Sequence, residues 1–405
     1  MLPWKNKRNI VFAVTGGISA YKVPEILRAL LKEGSAVEIV MTEEAENFVS
    51  PLVLSTLLAK PVWRQVDFLS PERGWEIPHV TLADWADLII VAPATADSLA
   101  RAAQGEAWSL LGALLLAAKC PVLFFPAMNV HMWEHPATKS NVAILADMGY
   151  RIAEPESGDL ACGYNAKGRL PSKEAIMHEI WKTLCPSNDL RGKKVLVTAG
   201  PTWEFLDPVR FLSNPSSGKM GFAMARTAWY RGANVTVVCG PVSFPDTYGL
   251  TIIPVVSAMD MLEAVLSELP AHEYIVKAAA VGDYRSASIS QQKIKRSDRG
   301  NFTLELVQNP DIAFQIGTRK KTGQILIGFA AESQDLVKNA SVKMEKKNLD
   351  FIIANDITAS DAGFQSDTNK VQIMRPSVSG PVCSIEGTKE EVAFKIWDIV
   401  MAKNA

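Results

Sequence analysis

The run Thr15-Gly16-Gly17-Ile18-Ser19-Ala20 could bind an anion, because it joins an apolar segment to a helical pattern through mostly small residues. Small residues leave backbone N–H groups accessible, and the N-terminus of a helix favours negative charge. The dinucleotide pattern G-x-G-x-x-G cannot be drawn through this run, which favours a mononucleotide phosphate. A tight turn that binds no ligand is the alternative.

Small polar residues also follow two later apolar segments, at Val40-Met41-Thr42 and at Val91-Ala92-Pro93-Ala94-Thr95. In a doubly wound sheet the carboxyl ends of the strands meet at one edge. We therefore expect these loops to converge with Gly16 and Gly17.

Three further residues of the first half could carry acid–base or thiol chemistry. Asn129 lies within the run 126–133, where core packing explains the Met and Trp side chains as well as a ligand wall does. His79 follows Pro78 in a predicted loop, where a solvated bystander is the alternative to a base. Cys162 lies in a polar, glycine-rich stretch and is a candidate reactive thiol, although an inert loop cysteine explains it equally well.

A loop of the second half, 207–221, combines Arg210 and Asn214 with several serines and a helix start. It is similar to a phosphate loop but lacks the first glycine of that motif. Met220 stands where Ser or Thr should hold magnesium, so ordinary P-loop chemistry is not expected.

Asp283 follows a later strand, and Lys293 begins a basic cluster ten residues further on. A carboxylate beside a basic cluster suits a nucleoside triphosphate. A solvated lysine face is the alternative.

Apolar strands that alternate with helical patterns must position these loops. In the first half we predict strands over 10–14, 37–41, 88–92 and 121–125 and helices over 19–33, 43–58, 109–118 and 134–148. In the second half we predict strands over 194–198, 234–239, 273–277, 325–329 and 351–354 and helices over 219–231, 258–269, 310–318 and 333–347. Two short strands within 371–385 precede a final helix. The alternation predicts an α/β fold with two doubly wound, Rossmann-like domains.

The segment 185–192 is rich in turn-forming residues and marks a domain boundary. The stretch that follows it, 193–202, repeats the charged, apolar and small-residue pattern of 8–17. We therefore expect two domains, 1–190 and 191–405.

The 405 residues carry 42 Lys and Arg against 43 Asp and Glu, a net charge of −1. This balance excludes the broad positive footprint of a general nucleic-acid binder and favours small-molecule partners. No apolar stretch is long enough to span a membrane, and 10–14 is too short for a signal-peptide core, so we expect a cytoplasmic protein. The five cysteines form no C-x-x-C pair and are expected to be free thiols.

Four motifs of the first half occur in a fixed order: G-G-I-x-A-Y-K, A-P-A-T-A, P-A-M-N-x-x-M-W, and L-A-C-G followed by G-R. In this combination the first half resembles the homo-oligomeric flavin-containing cysteine decarboxylases, and among them phosphopantothenoylcysteine decarboxylase. The resemblance implies a flavodoxin-like domain that binds FMN, with catalytic roles for His79, Asn129 and Cys162. It implies FMN contacts for Gly16, Gly17, Ser19, Thr42, Pro93, Ala94, Thr95 and Met128. The chain departs from the family pattern at Ala13, Trp108, Ser109 and Ala166.

A flavin answers a chemical need, because direct decarboxylation of an α-amido carboxylate would leave an unstabilised carbanion. Transient oxidation of the cysteinyl thiol to a thioaldehyde places an electron acceptor β to the carboxylate. In this scheme His79 is a base in the early steps, Asn129 orients the carboxylate, and Cys162 donates the proton that completes the return reduction.

The second-half motifs resemble phosphopantothenate–cysteine ligase. The resemblance implies that CTP, with Mg²⁺, activates 4′-phosphopantothenate as an acyl-cytidylate, which cysteine then attacks. Lys293 would stabilise the charge of phosphoryl transfer, while Arg210 and Asn214 would bind the acyl intermediate. The nucleotide would contact Lys277, Ala278, Ala279, Asp283, Lys293, Ile312, Ala313, Phe314, Gln315, Phe329, Lys343 and Lys347.

Together the two resemblances cover nearly the whole chain and imply the bifunctional bacterial ligase/decarboxylases of coenzyme A synthesis. The alternatives are a chain with only an active ligase half and a flavin-binding regulatory protein without catalysis. The resemblance also implies a homo-oligomer in which His79 and Asn129 meet from neighbouring chains. Trimers of the first half and dimers of the second could then close into a dodecamer.

Overall fold

The computed structural model describes residues 2–159, 163, 165–243, 247–295, 303–332, 342–356, 366–376, 378 and 380–402. The chain divides into two compact units, which span Leu2–Pro186 and Ser187–Ala405. Each unit has its own large, mostly parallel sheet accompanied by helices, which confirms the predicted α/β class.

The first domain is built on six parallel strands in the order β3-β2-β1-β4-β5-β6. Because β1 lies between β2 and β4, the winding direction reverses there, and ligands of such sheets bind at this switch point. A β-hairpin of β7 and β8 follows the sheet. The strands are β1 (Asn9–Val14), β2 (Ala36–Met41), β3 (Trp63–Arg64), β4 (Leu88–Ala94), β5 (Val122–Pro126), β6 (Arg151–Ile152), β7 (Glu156–Asp159) and β8 (Asn165–Arg169).

Six of the eight described helices of this domain begin at residues whose side chains accept backbone N–H bonds. Ser50, Thr95, Ser109 and Ser172 do so at the starts of α2, α4, α5 and α8, which satisfies donors that a helix start leaves unpaired. The helices are α1 (Val23–Lys32), α2 (Pro51–Leu58), α3 (Pro78–Trp85), α4 (Ala96–Gln104), α5 (Leu110–Ala117), α6 (Val130–Glu134), α7 (Pro136–Asp147) and α8 (Lys173–Leu184).

One loop prediction of the first half is wrong. His79 is the second residue of α3 instead of part of a loop. Pro78 explains the difference, because proline at the first helical position has the required φ and lacks only an N–H that would be unpaired there anyway. The predicted helix over 43–58 is also divided, into a 3-10 turn, Glu43–Asn47, and α2.

The second domain is built on eight strands in the order β13-β12-β9-β14-β17-β18-β19-β20. Strand β19 runs antiparallel to both of its neighbours, β18 and β20. Because β9 lies between β12 and β14, this sheet has a switch point of the same kind as the first sheet. The strands are β9 (Lys194–Ala199), β12 (Asn234–Cys239), β13 (Thr251–Pro254), β14 (Tyr274–Lys277), β17 (Ile325–Glu332), β18 (Phe351–Asp356), β19 (Thr368–Met374) and β20 (Cys383–Thr388).

Two short antiparallel ribbons are formed by segments that lie, in the sequence, between strands of this sheet. They pair β10 (Glu204–Phe205) with β11 (Phe211–Leu212), and β15 (Tyr284–Ser286) with β16 (Leu306–Gln308). The described helices are α9 (Lys219–Tyr230), α10 (Ala258–Glu268), α11 (Ile312–Arg319), the turn of helix over 342–346 and the C-terminal helix Lys389–Ala402. Much of the predicted helix over 333–347 lies outside the described residues.

A buried arginine holds the two ends of the second domain together. The side chain of Arg231 is only 2% exposed; it donates from Nε to Asp189 Oδ1 at 2.8 Å and from Nη1 to Asp398 Oδ1 at 2.7 Å. Burial alone would raise the pKa of Asp189, but the hydrogen bonds and charge of Arg231 outweigh it and hold that pKa below its usual range. The pair therefore stabilises the domain at neutral pH.

We predict that Arg231→Met lowers the free energy of unfolding of the second domain by about 3 kcal/mol, because both carboxylates lose a largely buried partner. Urea unfolding of the full chain measures this loss. The exposed Lys193, paired with Glu273 at 3.3 Å, is the control, and Lys193→Met should cost less than about 1 kcal/mol. The Arg231 effect should begin to shrink as pH falls into the ordinary range of a free carboxyl and should disappear once pH passes below the lowered pKa of Asp189; equal losses for the two variants would contradict the assignment.

Candidate active sites

A cavity of about 590 Å³ opens at the carboxyl edge of the first sheet. Five of the eight residues predicted to contact a cofactor line it: Gly16, Gly17, Thr42, Thr95 and Met128. The other three, Ser19, Pro93 and Ala94, are close in sequence to lining residues but are not themselves part of the wall.

Thr15 joins the two loops at the switch point of this sheet. Its hydroxyl donates to Pro93 O at 2.7 Å and accepts from Thr95 N at 3.3 Å. The carbonyl of Thr15 also accepts from Gly17 N at 2.8 Å. A single buried threonine therefore holds the ends of β1 and β4 in register with each other.

The walls of the cavity offer donors and little room at the end of β1. The Thr95 hydroxyl caps α4 by accepting from Ser98 N at 3.2 Å, and both residues line the cavity. A helix N-terminus with hydroxyl groups suits a phosphate. A Cβ at Gly16 would overlap Glu44 Cβ, so no larger residue fits between β1 and the 3-10 turn after β2.

Asn129 caps the short helix α6, since its Oδ1 accepts from His131 N at 2.8 Å. The preceding residue, Met128, donates its N–H to Gly168 O at 2.9 Å. Gly168 has a φ of +148° there, and a Cβ on it would overlap Met128 O. This contact fastens the base of the β7–β8 hairpin to the Asn129 loop, while Cys162, in the connection of that hairpin, lies outside the described residues.

His79 does not line the cavity, and neither does Asn129. The imidazole of His79 packs edge-on against Phe68, with ring centroids 5.5 Å apart. Its Nδ1 is buried and has no hydrogen-bond partner among the described residues. An imidazole nitrogen in such surroundings is available to a further group.

A second cavity, of about 680 Å³, lies at the loop that begins the second domain's helix α9. Its wall includes Asn214, Ser216, Ser217 and Lys219, beside the stacked rings of Trp203 and Phe211, whose centroids are 4.3 Å apart. The amide Nδ2 of Asn214 donates to Ala280 O at 3.2 Å and to Val281 O at 3.1 Å. The amide orientation is thereby fixed, with Oδ1 presented as the acceptor.

Threonines again join the loops at the switch point of the second sheet. Thr198 Oγ1 accepts from Ala279 N at 3.2 Å, and Thr202 Oγ1 accepts from Gly282 N at 3.0 Å. The predicted nucleotide residues 277–283 are therefore held against the loops that follow β9.

Asp207 brings together two predicted residues that are far apart in sequence. Its buried carboxylate accepts from Val209 N and Arg210 N, both at 2.8 Å, and from Ile294 N at 3.0 Å. Burial alone would raise the pKa of Asp207, but these three N–H donors and the charge of Arg210 lower it. Arg210 and Lys293 are thus carried by segments that share one carboxylate.

Two of the remaining predicted nucleotide residues, Lys343 and Lys347, lie near enough to Lys277 to affect its pKa. Asp311 caps α11 by accepting from Phe314 N at 3.1 Å, and it pairs with Lys347 at 2.9 Å. Desolvation and the positive charges of Lys347 and Lys343 lower the pKa of Lys277 to about 8. Phe329 lies one residue beyond Gly328, the partner of Lys277 across the sheet.

Two predicted contact residues, Ile312 and Ala313, have buried side chains that belong to the core. Only their backbone groups at the start of α11 could meet a ligand. Lys219 lies in the serine-rich loop 207–221, and the sequence assigned it no role. In the structure it pairs with Asp367 at 2.6 Å.

Sequence reasoning missed the residues that hold loops in place without being expected to touch a ligand: Thr15, Asp207 and Asp311. Each had a local signal. Thr15 precedes Gly-Gly, Asp207 precedes proline, and Asp311 follows one, and such Asp and Thr residues often accept backbone N–H bonds in turns and at helix starts.

Among the described residues, no group of three or more His, Cys, Asp and Glu side chains could hold a metal ion. In that same part of the chain, no helix has the length and apolar character needed to cross a membrane.

Comparison with known protein families matches both domains. The Flavoprotein family matches residues 3–185, and the family described as DNA/pantothenate metabolism flavoprotein C-terminal domain matches residues 190–403. These matches define a two-domain flavoprotein of pantothenate metabolism.

Full-length relatives narrow this class. The coenzyme A biosynthesis bifunctional protein CoaBC of Bacillus subtilis (strain 168) is 47% identical over 374 residues, 91% of this chain and 90% of the relative. That of Escherichia coli (strain K12) is 41% identical over 368 residues, 90% of each chain. The chain belongs to the family of bifunctional coenzyme A biosynthesis proteins, which confirms the family and the bifunctional enzyme class predicted from the motifs.

Solved structures resemble each half separately. The C-terminal domain of a coenzyme A biosynthesis bifunctional protein CoaBC is 38% identical and covers 54% of this chain and 98% of that one, with a TM-score of 0.45. The FMN-dependent cysteine decarboxylase SpaF is 31% identical and covers 44% of this chain and 97% of that one, with a TM-score of 0.37.

We predict that Gly16→Ala destabilises β1, because the added Cβ would overlap Glu44 and force the loop away from the 3-10 turn. The loss should be about 1–3 kcal/mol, as for other overpacked sites. Gly17→Ala is the matched control, since its Cβ would meet Pro93 Cγ at an ordinary 3.5 Å. Hydrogen exchange of the Asn9–Val14 amides measures both changes, and equal protection in the two variants would show that the cradle at Gly16 is not tight.

Proposed function

We propose that the first domain binds FMN and decarboxylates phosphopantothenoylcysteine, and that the second domain joins 4′-phosphopantothenate to cysteine with CTP. One observation carries the proposal: each domain of this family member has a cavity at or beside the strand ends of its own sheet, and predicted site residues line both. The two reactions are consecutive, because the ligase product is the decarboxylase substrate.

The residues of the first cavity fit FMN. A volume of about 590 Å³ lies in the range of small-molecule sites. The capped start of α4 and the loop at Gly16 and Gly17 supply N–H and hydroxyl donors for a phosphate, and Met41, Leu111, Leu115 and Met128 supply apolar wall for a ring. Outside the lining of this cavity, the buried Nδ1 of His79 has no hydrogen-bond partner among the described residues.

FMN, when bound, supplies a reversible acceptor of two electrons for oxidation of the cysteinyl thiol. This chain's own residues do the rest. His79 takes up a proton at its ring, and Asn129, which caps α6 through its Oδ1, orients the substrate carboxylate. Cys162 donates the last proton.

In the ligase half, we propose an acceptor role for Asn214. Because Nδ2 is directed at two backbone carbonyls, a ligand meets the amide through Oδ1, which suits a hydroxyl or amide N–H of the pantothenoyl chain. Arg210 and Lys293, on the two segments that Asp207 holds, supply positive charge for the phosphoryl groups.

The cytidine nucleotide is proposed to lie along 277–283 and the start of α11. Lys277, Lys343 and Lys347 gather positive charge there, and Asp283 interacts with Lys277 electrostatically. Mg²⁺ usually binds through one or two carboxylates and the phosphates of its substrate. We therefore propose that Mg²⁺ enters as a complex with the nucleotide.

We predict complementary losses in two single variants of the full chain supplied with phosphopantothenate, cysteine, CTP and Mg²⁺. His79→Asn should accumulate phosphopantothenoylcysteine, because ligation proceeds and the base is lost. Asn214→Asp should block ligation yet still decarboxylate added phosphopantothenoylcysteine, since a carboxylate there repels both the two carbonyls and an anionic intermediate. Mass spectrometry of the products measures both results.

Each variant is the control for the other domain's fold. ATP in place of CTP tests the nucleotide, and equal turnover with ATP would contradict the cytidine assignment. Parent protein that makes phosphopantothenoylcysteine but no phosphopantetheine would favour a chain with only an active ligase, and a flavin-binding chain that makes neither would favour the regulatory alternative.

We also propose that the chain works as a homo-oligomer, as large as a dodecamer. Large apolar side chains of the first domain are exposed, among them Leu52, Val66 and Leu69, and burying such side chains favours association. As the described residues form it, the first cavity is lined by neither His79 nor Asn129, so a neighbouring chain could complete the site. Light scattering should give a mass several times 44.2 kDa; a monomer with full decarboxylase activity would contradict the shared site.

A further inference from the structure

Trp108 lies on the wall of the first cavity. It is 59% exposed, which is unusual for so large an apolar ring. Among the described residues that line this cavity, it is the only aromatic one. A flat ring bound there meets no other aromatic side chain among the described lining residues.

Charged neighbours hold the indole from two directions. The guanidinium of Arg101 lies 4.4 Å from the centre of the ring, and the indole N–H donates to Glu106 Oε2 at 2.7 Å. Arg101 is itself bound to Asp97 Oδ2 at 2.8 Å. Because the guanidinium covers one face and the residue remains largely exposed, the opposite face is accessible to a ligand.

The backbone that carries Trp108 is also constrained. Ser109 caps α5 by accepting from Gly112 N at 3.1 Å, and Leu110 N donates to Gln65 Oε1 at 3.0 Å. At Gly112 a Cβ would overlap Glu106 O, so the turn 106–112 is closely packed. The ring is therefore ordered before a ligand arrives, which reduces the entropy lost on binding.

We propose that Trp108 is a cofactor-binding residue whose indole stacks on the isoalloxazine ring of FMN. The indole is electron-rich and the oxidised flavin ring is flat and electron-poor, a pairing that favours offset stacking. This inference rests on the proposed FMN site and adds the residue that binds the ring system. Arg101 acts as a positioning residue, because it holds the indole and not the flavin.

The test uses the full chain freed of flavin and titrated with FMN. Trp108→Ala should raise the Kd for FMN about tenfold, the loss expected for one stacked aromatic ring. It should also raise the fluorescence of the bound flavin, because a stacked indole quenches flavin emission by electron transfer. Trp108→Phe, which keeps a ring, should fall between parent and Trp108→Ala in both measurements.

Trp75→Ala is the matched control, since Trp75 is 76% exposed in the same domain and does not line the cavity. It should bind FMN like the parent and leave the emission quenched. If Trp108→Ala matches Trp75→Ala in both Kd and emission, the stacking role is overturned while the FMN site stands. If the parent itself binds no FMN, both proposals fall.

Discussion

The threonine hydroxyls at the two switch points are the interactions on which both candidate sites depend. In a doubly wound sheet a crevice forms at the switch point, where the connections that follow two neighbouring strands run to opposite faces of the sheet. Thr15 links the two loops beside this crevice in the first domain by hydrogen bonds to Pro93 and Thr95, and Thr198 does so in the second by a hydrogen bond to Ala279. A buried N–H that lost such a partner would cost about 1–3 kcal/mol, so the loops are held at the spacing that their ligands require.

Further from the switch points, single hydrogen bonds to the backbone connect each site to a more distant segment of its domain. The bond from Met128 N to Gly168 O extends the first site to the hairpin. The carboxylate of Asp207 extends the second site from Arg210 to the segment of Lys293. Each site therefore consists of loops whose residue types are typical of flexible segments. The hydrogen bonds between these loops prevent them from moving independently.

Strands such as Asn9–Val14 and Lys194–Ala199 could be predicted closely, because an unbroken β-branched apolar run that ends in small residues has few other uses. Two-residue strands such as Trp63–Arg64 could not, since nothing local distinguishes them and only pairing with β2 creates them. The motif identified Asn129 as a candidate, and in the structure this residue caps α6. The role of Trp108 depends on which cavity the turn faces, and this is a property of the folded domain alone.

Two lysines at the candidate sites of the second domain already have acidic partners, Lys219 with Asp367 and Lys347 with Asp311. These carboxylates act as built-in counter-ions. When a polyphosphate displaces these carboxylates from the lysines, the carboxylates remain attached to the protein, whereas salt ions would be released into solution. Fewer salt ions are therefore released on binding. The affinity for an anionic nucleotide should then depend less steeply on ionic strength than the number of lysines suggests. Without a ligand, the paired charges at these lysines largely cancel.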